Sequence, residues 1–324
     1  MKNLKNLAKI IGVVIVLLIV IYALGPRITI ETTVTQPNIP EDVDSYIQGE
    51  EAQFPDIKPD AEKIVIWADP ATKADTDIAL VYIPGFGVSR PETAPVSDLV
   101  ADELQANLYY TRMTGHGRTS DAFAQATAND WINDVLEAVE IGRTLGDQVV
   151  LVGSSTGATI ILWLASEGHL DDVDALILLS PNLAPNEAGI ELLLGPWGEQ
   201  IGQVVIDPII QWRPSNEAQA IYWNTTYHDE SIFQMLGLVR LARNADTDRI
   251  QSPVLVFYSP DDTVANPARM IDFYEGLSVT PKKLIAVPDT QDPDKHVVAG
   301  DILSPQTTNE VVEEMLLFLE GVLE

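Results

Sequence analysis

Val149-Val150-Leu151-Val152-Gly153-Ser154-Ser155-Thr156-Gly157-Ala158 decides the fold of this chain of 324 residues. A short β-branched run ends in small residues, and Thr159-Ile160-Ile161-Leu162-Trp163-Leu164 continues as an apolar helical stretch. Strand, sharp turn and helix are therefore expected in succession. Gly153, Ser155 and Gly157 fit G-x-S-x-G, the turn that lifts a serine hydroxyl to a strand-to-helix corner. The two glycines are needed because the turn presses backbone against its neighbours, and the serine itself is held strained. Its hydroxyl then lies at a helix N-terminus, where unpaired N–H groups can stabilise an oxyanion. Three fixed positions are a weak signal alone, and a Gly/Ser-rich turn without chemistry fits them too. The rest of the chain has to supply the partners.

Composition narrows the field. The chain is 46% hydrophobic, enough to bury one large α/β domain with an insertion. It has no cysteine, which removes disulfides, thiolate metal sites and a cysteine nucleophile. His116, His169, His228 and His296 have no close ligand spacing, so neither a metal nor another cofactor is expected. A formal charge of −29 repels phosphate backbones and argues against nucleic acid as a partner. It reads as a solubility or salt-adaptation signature more than a functional field.

Outward toward the N-terminus, Lys2, Lys5 and Lys9 precede an apolar run of 15 residues from Ile10 to Leu24. As helix that run is about 22 Å long, and it approaches the roughly 30 Å hydrocarbon core only if counted from Leu7 with Lys9 snorkelling. A cleaved signal peptide is the rival reading, with Ala23 and Gly25 as small residues, but Pro26 would follow the cut. The expectation is an uncleaved transmembrane signal anchor over residues 1–26. The lysines then stay in the cytoplasm and the catalytic domain lies on the extracytoplasmic side.

Alternation at Ile28, Ile30, Thr32 and Val34 predicts a first strand, and the Pro- and acid-rich stretch to residue 62 an extended connection. The domain proper is expected over 63–324. Strands are predicted at Ile64–Ala68, Asp77–Ile83, Asn107–Thr111, Ala175–Pro181, Val254–Tyr258 and Lys283–Val287. Helices are predicted at Ala94–Leu104, Trp131–Leu145, Pro267–Leu277 and Asn309–Leu323. Alternation of this kind implies an α/β fold with a mostly parallel central sheet flanked by helices. Between about 182 and 249 the rhythm breaks into apolar runs with Trp197, Trp212 and Trp223, which predicts a mostly helical cap over the sheet's carboxyl edge. Either these tryptophans pack the cap, or they present an apolar face to lipid.

The strand Val254–Tyr258 runs into Ser259-Pro260-Asp261-Asp262, and after the following strand comes Asp292-Pro293-Asp294-Lys295-His296. A carboxylate at a strand end can orient an imidazole, which in turn serves as base for the serine. Aspartates are also ordinary turn formers, and a loop histidine can be idle. The order serine, aspartate, histidine, each ending a successive strand unit, favours a triad of Ser155, Asp262 and His296.

On these motifs the chain resembles the α/β-hydrolase superfamily, and within it membrane-linked esterases and monoacylglycerol-lipase- or lysophospholipase-like members, over roughly residues 60–324. The resemblance implies an oxyanion hole from the backbone N–H groups of Phe86, in Pro84-Gly85-Phe86-Gly87, and of Thr156. Pro84 stands where the family usually has histidine, which leaves the support of that loop open. The resemblance also makes Gly115-His116-Gly117 a structural turn and favours Asp262 over Asp261, two residues before Val264. It implies hydrolysis of a small ester or lipid through an acyl-enzyme. An aminopeptidase using Glu191, Glu199 or Glu217 to hold an ammonium, or a non-catalytic binding module, are the alternatives.

Overall fold

The computed structural model describes residues 2–187 and 189–323. Helix α1 (Lys2–Ala23) and α2 (Val43–Glu51) precede β1 (Ile64–Ile66) and β2 (Thr76–Ile83). Helix α3 (Val96–Leu104), β3 (Asn107–Tyr110), α4 (Ser120–Gln125) and α5 (Ala128–Leu145) lead into β4 (Gly146–Ser154) and α6 (Thr156–Ser166). After β5 (Ala175–Leu179) come α7 (Ile190–Leu193), α8 (Gly198–Val205), β6 (Ile209–Gln211), α9 (Glu217–Tyr222), β7 (Thr226–His228) and α10 (Asp229–Arg243). The chain returns through β8 (Val254–Tyr258), α11 (Pro267–Gly276), β9 (Lys282–Ala286) and α12 (Thr308–Glu320).

Seven strands form one sheet in the order β1-β3-β2-β4-β5-β8-β9, antiparallel only at β1. Its central strands are continuous apolar runs because helices cover both faces. The period of two sorts them: Ala79, Val81 and Ile83 of β2 share one core with Trp131 and Val135 of α5. Leu80 and Tyr82 share the other with Val100 of α3 and Met315 of α12. In register, Ile83 faces Gly153 and Ser154 faces Leu179. The strands therefore end together, and their loops meet at one carboxyl edge. Over it lies the insertion, mostly helical as expected, with an antiparallel β6–β7 pair added.

Three N-terminal expectations change. Ile28 is buried and Ile30 and Val34 are half-buried, but the segment pairs with no strand; Ile28 and Ile30 pack on Gly237 of α10. The connection contains a regular helix, α2, capped by Asp42 and held by Val43 and Ile47. The transmembrane helix is not found: among the described residues, no helix is long and apolar enough to cross a membrane. The physical reason is length, since the uninterrupted run of α1 gives about 22 Å against a core of about 30 Å.

Candidate active site

The nucleophile turn forms as its glycines require. Ser155 takes φ 48° and ψ −111°, a strained conformation for a residue with a side chain. A Cβ at Gly157 would lie 2.5 Å from the Ile83 carbonyl oxygen and 2.6 Å from that of Pro84. One at Gly153 would lie 2.8 Å from the Ala158 nitrogen. Both glycines let α6 sit directly on the ends of β2 and β4. The Ser155 N–H donates to the Leu179 carbonyl at 2.9 Å, and its own carbonyl accepts from Asn182 and from the Thr159 hydroxyl.

His296 reaches the same cavity from the loop after β9, and its Nδ1 lies 2.7 Å from Asp262 Oδ2. Asp262 is fully buried, and its other oxygen accepts from the N–H groups of Val264 and Ala265, both at 2.8 Å. Asp261 is exposed and makes no such contact, so the geometry selects Asp262. Burial works against the imidazolium. The charge and hydrogen bond of Asp262, followed by the charges of Glu92 and Asp292, outweigh it and hold the His296 pKa above its ordinary value. Asp292 also shapes this loop: its Oδ2 accepts from the N–H groups of His296 and Val297 at 2.9 and 2.8 Å.

The loop after β2 presents its amides in alternation. The Gly85 N–H donates to Glu92 Oε2 at 2.9 Å, and the Gly87 N–H donates to His116 Nε2 at 3.0 Å. Burial pushes the His116 imidazole down to about 4, so it is neutral near pH 7 and Nε2 can accept. Phe86 lies between the two braced amides. Thr156 opens α6, where an N–H has no intrahelical acceptor. These two are the amides expected to form an oxyanion hole. His116 is thus structural, as its motif implied. His228 pairs with Asp121 outside this cavity.

Ser155, His296 and Phe86 line a cavity of about 370 Å³ under the cap. Trp212, Trp223, Ile232 and Met235 give it an apolar wall. Two buried amides also line it, Asn182 and Asn224, and each keeps an atom without a partner, Asn182 Oδ1 and Asn224 Nδ2. Trp197 lies elsewhere, against Gly25 at the end of α1, with its indole N–H donating to the Ile21 carbonyl. Glu191, Glu199 and Glu217 do not line the cavity; Glu191 is paired with Arg243 and Arg269. Sequence reading missed Glu92, Asp292, Asn182 and Asn224. Only Asp292 left a trace, as part of the acidic turn before His296.

Comparison with known proteins agrees with this geometry. The chain is 22% identical over 254 residues to a thermostable monoacylglycerol lipase of Bacillus sp. (strain H-257), covering 76% of this chain and 93% of that one. A solved structure from work on LipS and LipT, two metagenome-derived lipolytic enzymes, superposes with a TM-score of 0.66 at 19% identity, covering 82% of this chain and 99% of that one. A soluble variant of the monoglyceride lipase of Saccharomyces cerevisiae, in complex with a substrate analogue, gives 0.60 at 16% identity, covering 81% and 92%. The family model described as serine aminopeptidase, S33, matches residues 79–290, from β2 past β9 and so including both Ser155 and Asp262. With its nucleophile turn, buried acid–imidazole pair and sheet order, the chain belongs to this serine aminopeptidase S33 family of the α/β-hydrolase fold.

Proposed function

We propose that the enzyme hydrolyses neutral or zwitterionic carboxylic esters with an apolar acyl chain and a hydroxyl-bearing alcohol, of the monoacylglycerol or lysophospholipid kind. Ser155 attacks the ester carbonyl while His296 takes its proton, and the Phe86 and Thr156 N–H groups hold the oxyanion. The alcohol leaves with the proton returned by His296. Water, activated by the same imidazole, then releases the acid from the acyl-enzyme. The observation that carries the substrate reading is the cavity wall: aromatic and aliphatic on most sides, with two buried, uncharged amides that each keep one atom unpartnered. Buried amide atoms without partners are costly, and substrate hydroxyls would satisfy them. A monoacylglycerol lipase among the relatives fits the same chemistry.

Esters of increasing acyl length test the reading against aminoacyl amides of matched size. kcat/KM is expected to rise with chain length, by up to about fourfold per buried methylene. A glyceryl ester should exceed the matching ethyl ester, and Asn224→Ala should erase that preference. A steady fall from acetyl to octanoyl esters would end the lipid reading. Faster cleavage of the amides would point to the activity in the family's name, with Glu187, which lines the same cavity, as the group to hold an ammonium.

We also propose that α1 attaches the enzyme to a membrane on the extracytoplasmic side, lying in its surface rather than crossing the core. Apolar side chains from Ile10 to Leu24 are exposed, Leu24 at 81%, and lysines precede them. Lipid would cover that surface. Retention of the full chain in carbonate-washed membranes, with the domain open to added protease, is the expected result. A soluble chain beginning near Pro26 would overturn it.

A further inference from the structure

Glu92 is a carboxylate buried inside the catalytic site with no part in the serine–histidine–aspartate chemistry. It is only 2% exposed, and it lines the cavity that Ser155 and His296 also line. Its Oε2 accepts from the Gly85 N–H at 2.9 Å and from the Tyr82 hydroxyl at 2.8 Å. A Cβ built on Gly85 would lie 2.8 Å from Glu92 Oε1 and 3.2 Å from the Ser155 Cβ. Carboxylate and nucleophile thus flank a single glycine.

We propose that Glu92 is a positioning residue with two linked duties. Its Oε2 pins the Gly85 amide so that the neighbouring Phe86 N–H faces the oxyanion. Its negative charge supports the imidazolium that His296 becomes when Ser155 gives up its proton. The first duty falls to Glu92 because Pro84 has no side-chain donor or acceptor to fix this loop. The second follows from placement, since a buried carboxylate lining the same cavity acts on the imidazole more strongly than one in water. The proposal deepens the proposed reaction and rests on it.

The groups facing this pair are few. The charges acting on His296 are those of Asp262, Glu92 and Asp292, with Asp294 close by, and Lys295 turns away to the Thr290 carbonyl. Glu92 Oε2 is bonded to the Tyr82 hydroxyl and the Gly85 amide, and the charge of His296 acts on its carboxyl. Burial pushes the Glu92 carboxyl above its ordinary value, and those donors, with His296, pull the other way.

The test is the pH dependence of kcat/KM for the full-length enzyme, on an ester it cleaves, with Glu92→Gln and Glu92→Asp beside wild type. Glu92→Gln keeps shape and an acceptor but loses the charge. It should lower kcat about tenfold with KM within about twofold, and move the acidic limb to lower pH by about half a unit or more. Glu92→Asp keeps the charge but falls short of Gly85, so kcat should fall with the limb left in place. An acidic limb unmoved in Glu92→Gln overturns the proposal, because a brace alone would leave it there. So does a kcat within twofold of wild type. If Glu92→Gln does not fold, Tyr82→Phe serves instead. Losing one donor leaves Glu92 less ionised and should move the limb the same way by less; an unmoved limb again overturns the proposal. Failure of the reaction itself reads out separately, as wild-type activity that survives Ser155→Ala.

Discussion

At the scale of single residues, the site is a set of charges and dipoles arranged around one strained serine. Ser155→Ala or His296→Ala should lower kcat by about 10⁴- to 10⁶-fold, with the circular dichroism spectrum unchanged. Asp262→Asn should cost somewhat less, and Asp261→Asn almost nothing, since Asp261 is exposed and only Asp262 contacts the imidazole. A silent Asp262→Asn with a dead Asp261→Asn would reassign the acid. The pH dependence has a definite sign. Asp262 and its neighbours hold the His296 pKa above its ordinary value, so the imidazole is protonated, and unable to act as base, below that raised pKa. Activity measured as kcat/KM should therefore fall on the acid side from a pH above about 6.5. The strained turn at Ser155 and the contact of His296 with Asp262 were legible from the sequence because the order of chemical residues matched the order of strand ends. Glu92 was not: it ends a short 3-10 turn over Arg90–Glu92, and only the folded chain brings it under Gly85.

At the scale of elements, the site exists because α6 starts directly against the end of β2. The close approach at Gly157 is backbone to backbone, so no rotamer change can relieve an added methyl. Gly157→Ala should push apart α6 and the Ile83–Pro84 segment, which leads into the Phe86 loop. Overpacking of this kind costs about 1–3 kcal/mol. The expected outcome is a folded protein with a lower melting temperature and at least a tenfold lower kcat, because the displaced segment leads into the loop of the proposed oxyanion donor, Phe86. An unchanged kcat in the folded variant would show that this contact does not set the donor's position. The strands and helices around the sheet were readable because burial on both faces leaves continuous apolar runs. The alternation at 28–34 misled for a physical reason. Alternate burial needs only an extended segment lying on an apolar surface, here α10, and not a hydrogen-bonded neighbour. Helix α2 was hidden because only Val43 and Ile47 of it are buried, within an acidic, proline-rich window.

At the scale of the whole molecule, that N-terminal segment is part of the enzyme's core. Ile28, Val43 and Ile47 belong to the same apolar cluster as Trp131 and Leu151. The Thr35 amide and hydroxyl both donate to Asn133, and the Tyr46 hydroxyl donates to Glu137. Its strongest tie is electrostatic. Arg112, whose side chain is 3% exposed, donates through Nε and Nη2 to both oxygens of Glu51, at 3.0 and 2.7 Å. Lys63, almost as buried, pairs with Glu137 on α5. In a chain of net charge −29 such buried cations are few, and each one here has its carboxylate. Breaking a buried pair from one side costs about 3–5 kcal/mol, because the other charge is stranded in the interior. Glu51→Gln should therefore lower thermal stability by roughly that amount, while Glu50→Gln, one residue away and free of Arg112, should be nearly neutral. A chain begun at residue 63 would lose Glu51 and three core side chains together, and should not fold. One begun at residue 27 keeps all of them and should melt close to the full chain. If Glu51→Gln melts with wild type, the bidentate pair contributes nothing, and the segment is held by its apolar contacts and its other hydrogen bonds.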